Sequence, residues 1–361
     1  MFGDDDQQKG LGATLKGWFG GGSEEPKSPG EVLPFEGSSE DSEPPDLFHV
    51  DPEWRVVRGG WMDRRNASNT DPEAVRSEAM GSVSQMRSDV QTEEDRLFLA
   101  RLYEQLGERN FGLPDFPETP MRLEHLLNEE EPNSQQVMRC IESDPKLVGR
   151  VWQRARSARF PSAPSSLDMA VSRIGMVEVW RLSVETALDS LEIKAGPFKE
   201  WAEAVRIRGA LVAEVTAGLA GQHRGPAFLA GLLHDVGHLI VLQLASQGTP
   251  ERSTVQNVIN AHNADFAVLV ADTWRLDPDI APAVAYYHNP NEISAGARDL
   301  PRLVCLADIV VHGELDRRAQ RNSHFIQAIA KVTRSRSLAS KAINLAVTAV
   351  DRMDSDGVFG D

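Results

Sequence analysis

The stretch FLAGLLHDVGHLIVLQ, Phe228 to Gln243, sets a protonatable pair, His234-Asp235, inside an otherwise apolar run. Burying an imidazole beside a carboxylate is costly unless each finds a partner. The pair therefore marks a metal site, a hydrogen-bonded structural pair, or the remnant of a site that has lost its chemistry. Outward from it, between about Thr92 and Val350, amphipathic helical patterns follow one another with short Pro/Gly breaks. QQVMRCIESD, PKLVGRVWQRARSA, SLDMAVSRIG, VEVWRLSVETALDSL, WAEAVRIRGALVAEVTAGLAG and SLASKAINLAVTAVDRM all read this way, with no series of alternating strands and no repeat of fixed period. The fold class is all-α.

Charge and composition divide the chain. Of the formal −16, residues 1–95 carry 21 acidic and 9 basic side chains, a net of −12, which leaves −4 for residues 96–361. A net-acidic chain repels phosphate backbones, so nucleic acid is not an expected partner. Cys140 and Cys305 lie in apolar helical patterns without CxxC spacing and read as reduced core residues of a cytoplasmic protein. No run of about 18 apolar residues is evident to span a bilayer, and MFGDDDQQKG has neither a basic nor an apolar secretion-signal region.

Residues 1–91, rich in Gly, Ser, Pro, Asp and Glu, read as a disordered acidic leader unable to bury enough apolar surface to offset ordering. Two aromatic islands interrupt it. In GLGATLKGWFGGG, Leu11, Leu15, Trp18 and Phe19 would share one helical face, although Gly12 and Gly17 each cost a helix about 1 kcal/mol. In LFHVDPEWRVVRGGWMDRR, Trp54 and Trp61 sit among arginines. Both are candidate docking motifs for a protein partner; plain linker is the simpler alternative. Order is expected from TEEDRLFLARLYEQLGE, where Thr92 and Asp95 form a capping-box-like start and Leu99, Leu102 and Leu106 mark a face. Residues 92–112 would be a connecting helix, 313–352 C-terminal helices and 353–361 a flexible tail. Trp152, Trp180 and Trp201 read as core, and VTRSRSLASK as a solvated helix start.

GLLHDVGHL resembles the core signature of the HD superfamily of metal-dependent phosphohydrolases, and more specifically its HDOD branch, the HD-related output domains of bacterial signalling proteins. LPDFPETPMRLEHLLNEEEPNSQQVMRCIESDPKLVGRVWQRARSARF is similar to the opening of such domains. It has a Ser143-Asp144-Pro145 turn, and Arg156-Ser157-Ala158 where Asn-Ser-Ala is usual. SLDMAVSRIG, NADFAVLVADTWRLDPDIAPAVAYYHNP and LVCLADIVV resemble the segments that follow, over about residues 113–312. The resemblance implies a multi-helical HD-superfamily bundle and a set of metal-site positions. His234, Asp235 and the final Asp308 match. Arg208 stands where the first histidine belongs, Asn263 where a second is expected (with His262 beside it), and Tyr287-His288 replaces a His-His doublet. Arginine cannot coordinate a metal. A buried carboxylate needs a partner, which Arg208 could supply by pairing with Asp235 or Asp308.

The expectation is a vestigial cluster of His234, Asp235, Asp308, His288, Arg208, Asn263 and Tyr287, with no catalytic residue, no metal and no cofactor. What the resemblance implies is a non-catalytic signal-transduction output or scaffold module. Its partners would be signalling proteins of the response-regulator, kinase or cyclase type. Two alternatives stay open: a divergent phosphohydrolase acting on a nucleotide or cyclic dinucleotide, with Fe, Mn or Zn on His234, Asp235, His288 and Asp308, or a nucleotide sensor without hydrolysis. HDVGH also has the i, i+4 histidine spacing of the zinc-protease HExxH, but Asp is a methylene shorter than Glu and no downstream HxxGxxH completes the set.

Overall fold

The computed structural model describes residues 66–67, 69–111, 113, 118–127, 133–156, 163–221, 224–289, 299–315, 329, 332–333 and 335–355. Among these every regular element is helical. The leader motifs Leu11, Leu15, Trp18, Phe19, Trp54 and Trp61 lie outside the described residues. Two compact units are distinguished, Glu118–Thr186 and the flanking stretches Val50–Pro117 with Ala187–Asp361.

In the smaller unit, α3 (Glu118–Leu127), α4 (Ser134–Glu142), α5 (Pro145–Ala155) and α6 (Leu167–Ile174) pack in sequence order, followed by α7 (Met176–Ala187). Asn133 caps α4 through its side chain, and Asp144 accepts from Lys146 N and Leu147 N with Pro145 in the first turn of α5. The Ser-Asp-Pro turn is thus a helix cap followed by a proline whose missing N–H is no loss there. Gly175, at φ 84°, ends α6, a backbone angle that favours glycine. Trp152 is only half-buried, with the Arg156 guanidinium 5.2 Å from its ring centre, so it is not the core residue its apolar pattern suggested.

The larger unit begins earlier than the composition implied. Residues Pro72–Asp89 are a helix, α1, so the leader expected over residues 1–91 is too long. Asp71 accepts from Glu73 N, Pro72 opens the helix, and Val75, Ala79 and Val83 bury one face at spacing four. α2 (Glu93–Gly107) is more than a connector. It packs on α1 and on α10 (Val236–Ala245), burying Phe98, Leu99, Leu102 and Leu106. The Thr92–Asp95 start is a cap as expected, and Asp95 also reaches Glu251 N at 2.9 Å, at the start of α11 (Arg252–Thr273).

The centre of this unit is α8 (Lys199–Leu219), flanked by α9 (Arg224–Leu233), α13 (Asp299–Leu315) and α14 (Arg336–Ser355). α12 (Ile280–Tyr286) packs on α9, α11 and α13. α14 runs three residues into the tail placed at 353–361, and holds to α8 through Arg352–Glu214 at 3.1 Å. Together α9 and α10 give Arg224–Ala245, a stretch long and apolar enough to cross a membrane by composition, which corrects the expectation that none exists. Its apolar window is 94% buried within the fold, so it is a core segment here.

Candidate functional site

The site is built around His234 and Asp235. They form the turn between α9 and α10. Two glycines explain how so tight a turn is held deep in the unit. A Cβ on Gly231 would lie 2.7 Å from Ala213 Cα on α8, and one on Gly237 would lie 2.4 Å from Asn263 O on α11. Only glycine lets the two backbones approach that closely. The G-x-x-H-D-x-G spacing therefore clamps the pair between α8 and α11.

His234 is fully buried, and its Nδ1–H donates to Gly231 O at 2.6 Å. That bond fixes the tautomer, so in the neutral ring the lone pair is on Nε2. Nε2 forms no hydrogen bond, and lies 3.4 Å from Asp235 Oδ2 and 3.5 Å from Asp308 Oδ1 of α13. Asp235, 2% exposed, has both oxygens engaged. Oδ2 accepts from the Arg208 guanidinium of α8, while Oδ1 accepts from Tyr287 Oη (2.7 Å) and Asn263 Nδ2 (3.0 Å). Although Asp235 stands in the N-cap position of α10, its side chain makes no capping bond because these partners claim it.

Asn263 joins the network in one orientation. Its Nδ2 also reaches His234 O (3.0 Å) and Tyr287 Oη (3.1 Å), and its Oδ1 accepts from His238 Nδ1 at 2.9 Å. His238, fully buried, is thereby a member of the cluster that the sequence did not indicate. His288 is half-buried with its ring centre 3.8 Å from that of Tyr287.

His262, next in sequence to Asn263, turns away from this cluster. Its Nδ1 meets Asp265 Oδ2 and its Nε2 meets Ser82 Oγ of α1, each at 2.8 Å, and its ring stacks on Phe266. This Ser-His-Asp chain has the distances of an activated nucleophile. Ser82 lies inside α1, however, where backbone N–H groups are already used along the helix, so they offer no oxyanion donors. The chain ties α1 to α11. The i, i+3 spacing of His262 and Asp265 was a readable sign of it.

The divalent metal of HD-type sites can be tested against this geometry. One oxygen of Asp235 is taken by a side chain with no lone pair to offer and a permanent positive charge. Asn263 turns its amide nitrogen, not its oxygen, toward the carboxylate. Among the described residues no group of three or more His, Cys, Asp or Glu side chains could hold a metal ion. With Arg208 on Asp235 Oδ2, the donors in this arrangement do not fit the ion.

The His234–Asp235 turn, which Gly231 and Gly237 clamp and Asp308 faces, lies in the GLLHDVGHL stretch that resembles the HD signature. The HDOD domain family matches residues 113–290. These residues are an HDOD domain. A crystal structure of an HDOD domain protein of unknown function from Geobacter sulfurreducens is similar at 19% identity. The match covers 73% of this chain and 96% of that one, with a TM-score of 0.50. A protein of Shewanella amazonensis SB2B, provisionally assigned as a phosphohydrolase, is similar at 21% identity, over 71% of this chain and 96% of that one, with a TM-score of 0.51. At these identities the likeness is one of fold. No curated protein gives a match. The HDOD domain takes up the α3–α12 region, so α1, α2, α13 and α14 flank the family match, although Asp308 on α13 faces the cluster.

Proposed function

We propose that this chain is a non-catalytic signal-transduction output module, acting by binding signalling proteins of the response-regulator, kinase or cyclase type in the cytoplasm. The observation that carries the reading is the Arg208 guanidinium on Asp235 Oδ2. A built-in cation neutralises the carboxylate that would otherwise recruit a divalent ion, and Tyr287 and Asn263 occupy its other oxygen. What remains is a buried core in which both oxygens of Asp235 are satisfied from within, and on which outer helices can present binding surfaces. The divergent-phosphohydrolase reading draws on one feature, the buried His234 Nε2 set between two carboxylate oxygens. For that reading Arg208 would have to leave Asp235.

Elemental analysis and melting curves separate the two. Purified protein should carry no stoichiometric Fe, Mn or Zn. Added Mn²⁺, Fe²⁺ or Zn²⁺ should leave the Tm unchanged, because a ligand stabilises only by preferring the native state. A metal-dependent rise in Tm, with metal-dependent release of phosphate from a nucleotide, would replace the binding module with the enzyme.

A further inference from the structure

Residues 66–111 precede the HDOD match, yet they reach the Asp235 network from two directions. One is a strap. Ala67 donates its backbone N–H to Ala285 O at 2.8 Å. The Asn66 amide closes a pair with the backbone of Asn289, Nδ2 donating to Asn289 O (3.1 Å) and Oδ1 accepting from Asn289 N (2.9 Å). These bonds bracket Tyr287, the donor to Asp235 Oδ1. The other is the bond from Ser82 to His262, whose chain neighbour Asn263 donates to both Asp235 and Tyr287. The two anchors therefore grip the two neutral donors of one buried carboxylate.

We infer that residues 66–82 are a latch coupling the N-terminal segment to the Asp235 network, so that lifting the strap from Ala285–Asn289 loosens the turn that carries His234 and Asp235. In the sequence residues 1–65 run directly into this strap, so a partner bound to them would act on the latch. The contacts hold whether or not the site takes a metal, so the metal test above and the test below fail independently.

The test is hydrogen exchange on the full chain carrying Asn66→Ala with Ala67→Pro, which removes the side-chain pair and the N–H donor. The His238 amide, bonded to Asp235 O at 3.0 Å, reports the turn. Exchange at 285–289 and at His238 should quicken about tenfold or more by local opening, while α14 stays protected. Unchanged exchange at His238, or equal quickening in α14, overturns the inference. Coupling is reciprocal, so the milder Tyr287→Phe should quicken exchange of the buried Ala67 amide by a similar factor. An unaffected Ala67 also overturns it.

Discussion

Arg208→Ala leaves Asp235 2% exposed, with two neutral donors and no cation. Removing one partner of a buried ion pair costs about 3–5 kcal/mol. The surviving bonds from Tyr287 and Asn263, each worth about 1.5–3 kcal/mol to a charged acceptor, place this variant near the lower end, about 3 kcal/mol. Asp235→Ala should cost more, about 5 kcal/mol, because it removes the carboxylate that pairs with the Arg208 guanidinium and also accepts from Tyr287 and Asn263. In the double variant the guanidinium is gone together with its carboxylate, so the loss should fall short of the sum by about 2 kcal/mol. Urea unfolding of the four proteins, followed by far-UV circular dichroism, measures the cycle directly. Additivity within about 0.5 kcal/mol would mean that the two side chains are not coupled, and the reading of Arg208 as the built-in cation would fall.

The glycines give a contrast of sign. Gly237→Ala should destabilise by about 3 kcal/mol or more, since its Cβ meets backbone 2.4 Å away, whereas Gly81→Ala in α1, with nothing within 4 Å, should stabilise by about 1 kcal/mol; melting curves of both decide it. Burial pushes the Cys305 thiol well up, with the Asp308 carboxylate adding to the effect, and burial also raises Cys140. Both should resist a thiol reagent at about pH 8 until the chain unfolds. Stability should fall as pH climbs past about 8.5, where the unfolded thiols ionise and the folded ones do not; rapid native labelling, or stability rising over that window, would contradict this. Limited trypsin should spare Arg76, whose guanidinium is bonded to Leu106 O, Glu108 O and Arg109 O, and early cleavage there would show that α1 is not docked.

Local rules carried much of the fold. The Thr92 cap, the Asp144-Pro145 start and the end of α6 at Gly175 follow from short-range chemistry and stand where the pattern put them. α1 was equally readable, from Asp71-Pro72 and the Val75, Ala79, Val83 spacing, but its Ser, Glu and Gly content masked the stripe. In the site, Arg208, Asn263 and Tyr287 were legible as departures from a pattern. Their convergence on one carboxylate was not, because it depends on how α8, α11 and α12 cross. The split direction of His262 and Asn263 has the same origin. Adjacent residues on a helix point about 100° apart, and which one faces α1 and which the turn is set by tertiary packing.

Arg208 has one more consequence. A dissociable cation fills a site in proportion to its free concentration, so such a site follows the supply of that ion. A cation carried on a side chain has no free concentration to follow. With its guanidinium always charged, the charge beside Asp235 is the same in metal-starved and metal-replete surroundings, in the presence of a chelator, and across the pH range in which the carboxylate stays ionised.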